Sequence, residues 1–403
     1  MLLKKEILGI VLDQKESLKN IDLGILRNDL DEIFPIDSFA YVISGIRRCG
    51  KSILLHQIRH KQKDFAFFNF EDTRLNNFAV TDFQKLQEVL LEIYGDTNIF
   101  FFDEIQNVNK WEIFVRQLLD HKKRVIITGS NASLLSKELG TRLTGRHLRK
   151  EIFPFSYDEF LRFTKKKINE DSFKEYLYLG GFPEYLKFRN EDILQELLNN
   201  IIYRDIVVRH HLKDSKIIKD LAIYLFSNIG KEYSYNNLKK TFSVGSINTI
   251  ISYISYLEDS YLLFSINRFD YSLKKQQIYS KKIYAIDNGF AKANSLSFSK
   301  DQGRMLENLV FLNLRSKYND IYFFKEDSLE CDFIIKEKEK ITMVFQVCLD
   351  LNLDNKDREI NGLKSAMSKF NLNTGTILTL NQEDEIKENS KIIRIIPVWR
   401  WKL

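Results

Sequence analysis

The sequence predicts an α/β protein of several domains whose first domain is built on a parallel sheet. Three observations carry this expectation. At 403 residues the chain exceeds the size at which a single hydrophobic core usually stops growing. The stretch "SFAYVISG", Ser38–Gly45, is a short apolar run ending in glycine, followed by a loop and then by the helix-spaced apolar residues Ile53, Leu54 and Ile58. In "NIFFFDEIQNV", Ile99–Phe102 is an uninterrupted apolar run of the kind buried on both faces of a parallel sheet.

Composition narrows the class. Hydrophobic residues make up 44% and charged residues 29%, as in ordinary folded proteins, and only 4 Pro and 16 Gly argue against long disordered linkers. No run reaches the roughly 18 uncharged apolar residues of a spanning helix. Charges interrupt "MLLKKEILGIVLDQKESL", so neither signal peptide nor anchor is expected; the expected location is cytoplasmic, without membrane contact. Cys49, Cys331 and Cys348 lack metal-ligand spacing, which excludes a zinc site and a disulfide framework. Lys and Arg outnumber Asp and Glu by 61 to 55, too small an excess to establish contact with nucleic acid.

The loop after the first strand, "GIRRCGKS", fits G-x-x-x-x-G-K-[ST] at Gly45, Gly50, Lys51 and Ser52. Each residue type has a task. Glycines let the backbone N–H groups of Gly45, Ile46, Arg47, Arg48, Cys49, Gly50, Lys51, Ser52 and Ile53 close around phosphate oxygens, and the helix N-terminus adds its dipole. Lys51 would reach the outer phosphates and the Ser52 hydroxyl would hold Mg2+. About fifty residues on, Asp103 and Glu104 close the apolar strand, fitting a magnesium-linked carboxylate followed by a base that activates water. An acidic pair after a strand can also be a helix cap; its coupling to the upstream loop favours the nucleotide site. The strand "RVIITGSN", Arg124–Asn131, ends in small polar residues, where Ser130 or, preferably, Asn131 would orient the attacking water. Beyond it lie Arg142, Arg146 and Arg149, of which Arg146, after Gly145, is the candidate finger that stabilises a transferring phosphoryl group.

The order "GIRRCGKS", "FFNFEDTR", "IFFFDEIQ", "VIITGSN", "LTGRHLRKEIFPFSYDEFL" resembles the prokaryotic AAA-type P-loop ATPases whose nucleotide domain is joined to a C-terminal restriction-endonuclease-like domain. "YLYLGGFPEYL" and "NNIIYRDIVVRH" resemble that group as well. The resemblance implies ATP rather than GTP, and assembly or partner contact through the arginine segment.

On this basis residues 1–155 form the ATPase domain and 156–214 a helical lid, broken at "GGFPE". Residues 215–300 read as a winged helix: three helices, two of them capped by Ser234 and Ser246, then a hairpin with Lys274, Lys275, Lys281 and Lys282 near its tip. In the third helix Ile247, Ile250, Ile251, Ile254 and Leu257 form the apolar stripe, leaving Asn248, Thr249, Ser252, Tyr253 and Tyr256 outward. Such a module enters a major groove or only packs against protein.

Residues 301–403 follow the helix and strand order of the restriction-endonuclease-like fold. In active members a helix glutamate, a second-strand aspartate and a third-strand acid-x-lysine surround magnesium. Glu307 and Asp332 occupy the first two places, but Gln346 and Cys348 replace the acid and the lysine, so the expected site is degenerate and cutting is not expected. Lys336 or Lys325 are the candidates to restore an ammonium. The expected function is a magnesium-dependent ATPase linked to double-stranded DNA. The alternative is an ATP-dependent switch or scaffold, with little hydrolysis, that recruits a protein partner or a second copy of the chain.

Overall fold

A computed structural model describes residues 1–33, 36–130, 143, 145–296, 301–388 and 390–401. The chain divides into two units, Met1–Phe153 and Pro154–Leu403.

In the first unit the strands β1 (Ala40–Ser44), β2 (Ala66–Asn69), β3 (Ile99–Asp103), β4 (Arg124–Gly129) and β5 (His147–Glu151) form one parallel sheet in the order β2-β3-β4-β1-β5. Helices α1 (Lys4–Ser17), α3 (Phe83–Tyr94) and α4 (Trp111–Asp120) bring Ile7, Leu86, Phe114 and Leu118 into one core with Val42, Phe68, Phe102 and Ile127. Helix α2 (Lys51–His60) packs with strands β3 and β4, and His56 lies 5.2 Å from Phe67 between ring centroids. Layers on both faces explain why β3 is apolar at consecutive positions and buried throughout. Strand β5 was not legible in the sequence. It pairs only with β1, at the sheet's edge, and its residues His147, Leu148, Arg149, Lys150 and Glu151 are partly or fully exposed.

The second unit starts with helices α5 (Tyr157–Thr164), α6 (Glu170–Leu179), α7 (Pro183–Phe188) and α8 (Asp192–Asn200), the last continuing into a π-helix, Ile201–Val208. The break at "GGFPE" falls as expected between α6 and α7. Gly180 has φ 69°, and a Cβ there would lie 2.1 Å from Asp287 Oδ1, so both backbone and space require glycine. Asp287, fully buried, accepts N–H groups from Gly181 at 2.6 Å and Phe290 at 2.8 Å. Burial pushes its carboxyl up to about 7 against the pull of those amides. A carboxyl with a folded-state pKa above its unfolded value of 3.8 binds more protons when folded, so its stabilising effect is lost as pH rises from about 4 to about 7. Asp287→Asn is expected to be less stable near pH 4 and to lack that decline, so that its deficit narrows as pH rises, which urea unfolding from pH 4 to 8 would reveal.

Helix α9 (Lys216–Phe226), strand β6 (Glu232–Tyr233), helices α10 (Tyr235–Thr241) and α11 (Ile247–Asp259), and strands β7 (Leu263–Arg268) and β8 (Lys281–Ala285) follow. Ser234 and Ser246 cap α10 and α11 by accepting N–H groups from Asn237 and Asn248. The stripe on α11 is narrower than expected: Ile250, Ile254 and Leu257 are buried, whereas Ile251, at the stripe's margin, is 40% exposed. Tyr256 is not free on the outer face, because His210 stacks on it at 3.7 Å. The β7–β8 connection carries a short helix, α12 (Leu273–Ile278), which holds Lys274 and Lys275; α13 (Asn288–Ala293) follows β8.

The remaining elements are α14 (Gln302–Lys317), β9 (Ile321–Glu326), β10 (Leu329–Glu337), β11 (Lys340–Val347), α15 (Lys356–Lys369), β12 (Thr374–Thr379), β13 (Asp384–Glu388) and β14 (Lys391–Pro397). The strands from β6 onward form one mixed sheet in the order β13-β14-β12-β11-β10-β9-β7-β8-β6. Strand β7 joins β9 in parallel through two residue pairs, Asn267 with Tyr322 and Arg268 with Phe323. The hairpin read from the sequence as a wing therefore continues the C-terminal sheet. Among the described residues no helix is long and apolar enough to cross a membrane.

Candidate nucleotide site

Strand β1 ends at Ser44, and α2 begins at Lys51 after the loop 45–50. Gly50 caps the helix at φ 103°, ψ 21°, and a Cβ there would stand 2.8 Å from Arg27 Nη1. Arg27, only 4% exposed, holds the loop from outside the motif. Its Nη1 donates to the Cys49 carbonyl at 2.7 Å and its Nη2 to the Phe153 carbonyl at 2.8 Å. No local pattern marks Arg27, since these partners lie 22 and 126 residues away.

Lys51 is buried at the head of α2, its Nζ 3.1 Å from the Gly45 carbonyl, 3.0 Å from that of Ile46 and 3.7 Å from Glu104 Oε1. One residue on, Ser52 Oγ donates to Asp103 Oδ1 at 3.2 Å. The strand order puts this contact between neighbouring ends: β4 lies between β1 and β3, and all three run the same way. Thr128 on β4 donates to the same Asp103 oxygen and accepts the Glu104 N–H at 2.9 Å. Glu104 adopts the left-handed conformation at φ 50°, ψ 42°, rare for a side chain of its size. Its Oε2 accepts from Ser130 Oγ at 3.0 Å and from Gln106.

The two acids are driven apart electrostatically. Burial, with the charge of Glu104, pushes Asp103 up to about 6. Burial also acts upward on Glu104, but Lys51, the hydrogen bonds from Gln106 and Ser130, and Arg47 outweigh it and hold this carboxyl below its ordinary value. Glu104 is therefore held ionised well below neutral pH, the protonation state that a base requires, while Asp103 takes up a proton more readily as pH falls toward 6.

The arginines separate. Arg47 pairs with Glu71 at 3.2 Å, and Arg48 takes φ 64° in the loop. Arg149 donates to Ser44 Oγ at 3.1 Å, next to the loop. Arg146 lies at the opposite end of β1, where its carbonyl accepts the Ala40 N–H at 3.1 Å and its guanidinium pairs with Asp120 at 2.8 Å. Since β1 and β5 are parallel, that position is the far edge of the sheet from Gly45, and Arg146 is not part of this chain's own site. Asn131 and Arg142 lie outside the described residues. Thr128 was missed by sequence reasoning, although a polar residue near the end of a buried apolar strand was a usable signal.

A family model described as an AAA domain matches residues 37–161, and one described as a domain of unknown function matches residues 170–301. An uncharacterized protein of Methanocaldococcus jannaschii is 37% identical over 425 residues, covering 98% of this chain and 94% of that protein. The chain belongs to the same family. An uncharacterized protein of Haemophilus influenzae is 30% identical, covering 79% of this chain and 84% of its own length. Among solved structures, AMPPCP-bound DnaA from Aquifex aeolicus covers 60% of this chain and 85% of its own at 15% identity, with a TM-score of 0.27. The first unit thus carries an AAA-type P-loop domain on a parallel five-stranded sheet. Arg27→Ala is expected to weaken ATP binding by roughly tenfold by freeing the Cys49 carbonyl, with Arg27→Lys recovering only part, because one ammonium cannot span two carbonyls as a guanidinium does. Calorimetric titration with ATP would measure both.

The residues expected to form the degenerate centre also meet. Glu307 on α14 and Asp332 on β10 converge, and Gln346 on β11 accepts the Asp332 N–H at 3.2 Å while donating to Glu359 on α15 at 2.5 Å. The ammonium does not come from Lys336 or Lys325. Lys325 binds Glu232 and lies 3.6 Å from Glu330, and Lys336 follows the Asp332 position toward the other end of β10. The ammonium is that of Lys282, read from the sequence as part of a basic wing and found 4% exposed. Its Nζ lies 3.1 Å from Glu307, 2.7 Å from Glu330 and 2.9 Å from Asp332. Tyr284, two residues on, donates to Glu307 at 2.7 Å. Burial of Cys348 pushes its thiol up to about 12, so it supplies no charge.

Proposed function

We propose that the chain is a magnesium-dependent AAA-type ATPase whose turnover is coupled to duplex DNA through its second unit. The observation that carries this reading is the contact of Ser52 with Asp103 beside Lys51 and Glu104. A hydroxyl and a carboxylate at 3.2 Å form the small protein donor set that suits magnesium, which keeps most of its shell for water and phosphate oxygens. Magnesium bound there would neutralise charge on the transferring phosphoryl group. Loop amides and Lys51 hold the phosphates, and Glu104 takes a proton from the attacking water. The DNA part is supported by the order helix, strand, two helices, two strands over residues 216–285, the order of a winged helix but for the short helix α12 between the last two strands, with Asn248 and Ser255 exposed on its third helix.

A second reading, a slow ATP-dependent switch that recruits a protein partner, is favoured by one detail. Both Glu104 oxygens are engaged, by Lys51 on one side and by Ser130 and Gln106 on the other. The ATPase rate with and without duplex DNA separates the two readings: several-fold stimulation supports coupling to DNA, and a slow rate indifferent to DNA supports the switch. No ATP binding at all would overturn both.

A further inference from the structure

Lys282 occupies a place that its surroundings do not require of a strand residue. It reaches from β8 to side chains on two other elements, Glu307 on α14 and Glu330 and Asp332 on β10. An ammonium has three N–H donors and here meets three carboxylates, each within 3.1 Å, so its donor capacity is filled. The carboxylates are themselves built into the fold. Asp332 uses its second oxygen to accept the Val347 N–H at 2.9 Å, Glu307 accepts from Tyr284, and Glu330 also faces Lys325. Three carboxylates aimed at one buried point from two elements are the donor arrangement of a hard divalent cation, and at that point stands a nitrogen.

We propose that Lys282 is the resident cation of a carboxylate centre that would otherwise accept a divalent ion, and that it keeps this centre closed to metal. Distances favour substitution without rearrangement of the strands. Calcium–oxygen bonds are about 2.3–2.6 Å. The nitrogen–oxygen distances here are 2.7 to 3.1 Å, so the carboxylates need to draw in by less than about an ångström. Charge points the same way. Without Lys282 the nearest cation paired with these carboxylates among the described residues is Lys325, 3.6 Å from Glu330, a deficit that a divalent ion restores. Access exists as well, since Glu307 also lines a cavity of about 580 Å³. Among the described residues no group of three or more His, Cys, Asp or Glu is arranged to hold a metal ion as the chain stands. The positive charge absent at Cys348 is thus supplied from another strand as a fixed counter-ion, which leaves the second unit without a metal for phosphodiester hydrolysis. This inference does not depend on the ATPase reading.

The test is calorimetric titration of the nucleotide-free full chain with calcium chloride, in an Asp103→Asn background that silences the P-loop carboxylate. With Lys282 present no calcium uptake is expected. Lys282→Met should gain one calcium per chain, and Lys282→Met with Asp332→Asn should lose it again. Should Lys282→Met not fold, Lys282→Gln, which removes the charge, keeps a polar side chain and leaves all three carboxylates in place, is titrated in its place, with the same gain expected. Calcium uptake by the Lys282 protein that Asp332→Asn abolishes would overturn the proposal. So would a folded variant lacking Lys282 that gains no calcium.

Discussion

Replacing Glu104 with glutamine is expected to leave ATP bound and to slow its hydrolysis by about 10²–10³-fold, the share that a positioned base contributes. Glutamine matches glutamate in size and can still accept from Ser130 and Gln106, so the left-handed turn at residue 104 and the Ser52–Asp103 contact should persist. What is lost is the ionised carboxylate that Lys51 and the surrounding donors hold below its ordinary pKa. Asp103→Asn should behave differently: the carboxylate that Ser52 and Thr128 address disappears, and magnesium-dependent ATP affinity falls with the rate. Equilibrium binding and single-turnover hydrolysis on the same preparations distinguish the two losses. A Glu104→Gln protein that retains more than about a tenth of the rate would remove Glu104 from the role of base.

The contrast between these neighbouring acids was only half legible in the sequence. The apolar run Ile99–Phe102 announced a buried strand, and the loop spacing placed Lys51 and Ser52, because both signals are local and periodic. Which acid would hold its charge more firmly was not legible, since it depends on Thr128, Ser130 and Lys51 meeting at the ends of separate elements. The place of Arg146 was hidden for a related reason. A guanidinium after a glycine suggests a finger in one dimension, but the segment leads into edge strand β5 and puts Arg146 at the end of β1 away from this chain's own loop. Exposure of β5 left no hydrophobic alternation to announce it. In the second unit the serine caps of α10 and α11 were readable, whereas the junction of β7 with β9 was not, because it rests on two residue pairs 55 apart in sequence. That junction turned an expected basic wing into part of a sheet.

Lys282→Met is expected to lower the stability of the second unit by about 3–5 kcal/mol, the cost of leaving buried charges without their partner. The size follows from the surroundings rather than from the number of ion pairs. A surface pair contributes about 0–1 kcal/mol because water screens it. Lys282 is 4% exposed, and it is the one cation shared by all three carboxylates among the ion pairs of the described residues. Lys325→Met is the matched comparison: that lysine's side chain is 33% exposed and shares Glu330 only at 3.6 Å, so its loss should cost no more than about 1 kcal/mol. The two variants should also differ in pH response. Glu307 is already pushed up to about 7, chiefly by burial and against the pull of Lys282. Removing the ammonium moves the Glu307 carboxyl further upward, and an acid with a raised folded-state pKa stabilises the native state only while protonated. Lys282→Met should therefore regain stability as pH falls from 7 toward 5, while Lys325→Met should stay close to the parent. Urea unfolding followed by tryptophan fluorescence, with Trp111→Phe so that Trp399 and Trp401 report on the second unit, measures both effects. Equal small losses in the two variants would mean that the Lys282 cluster is hydrated and contributes no more than a surface pair.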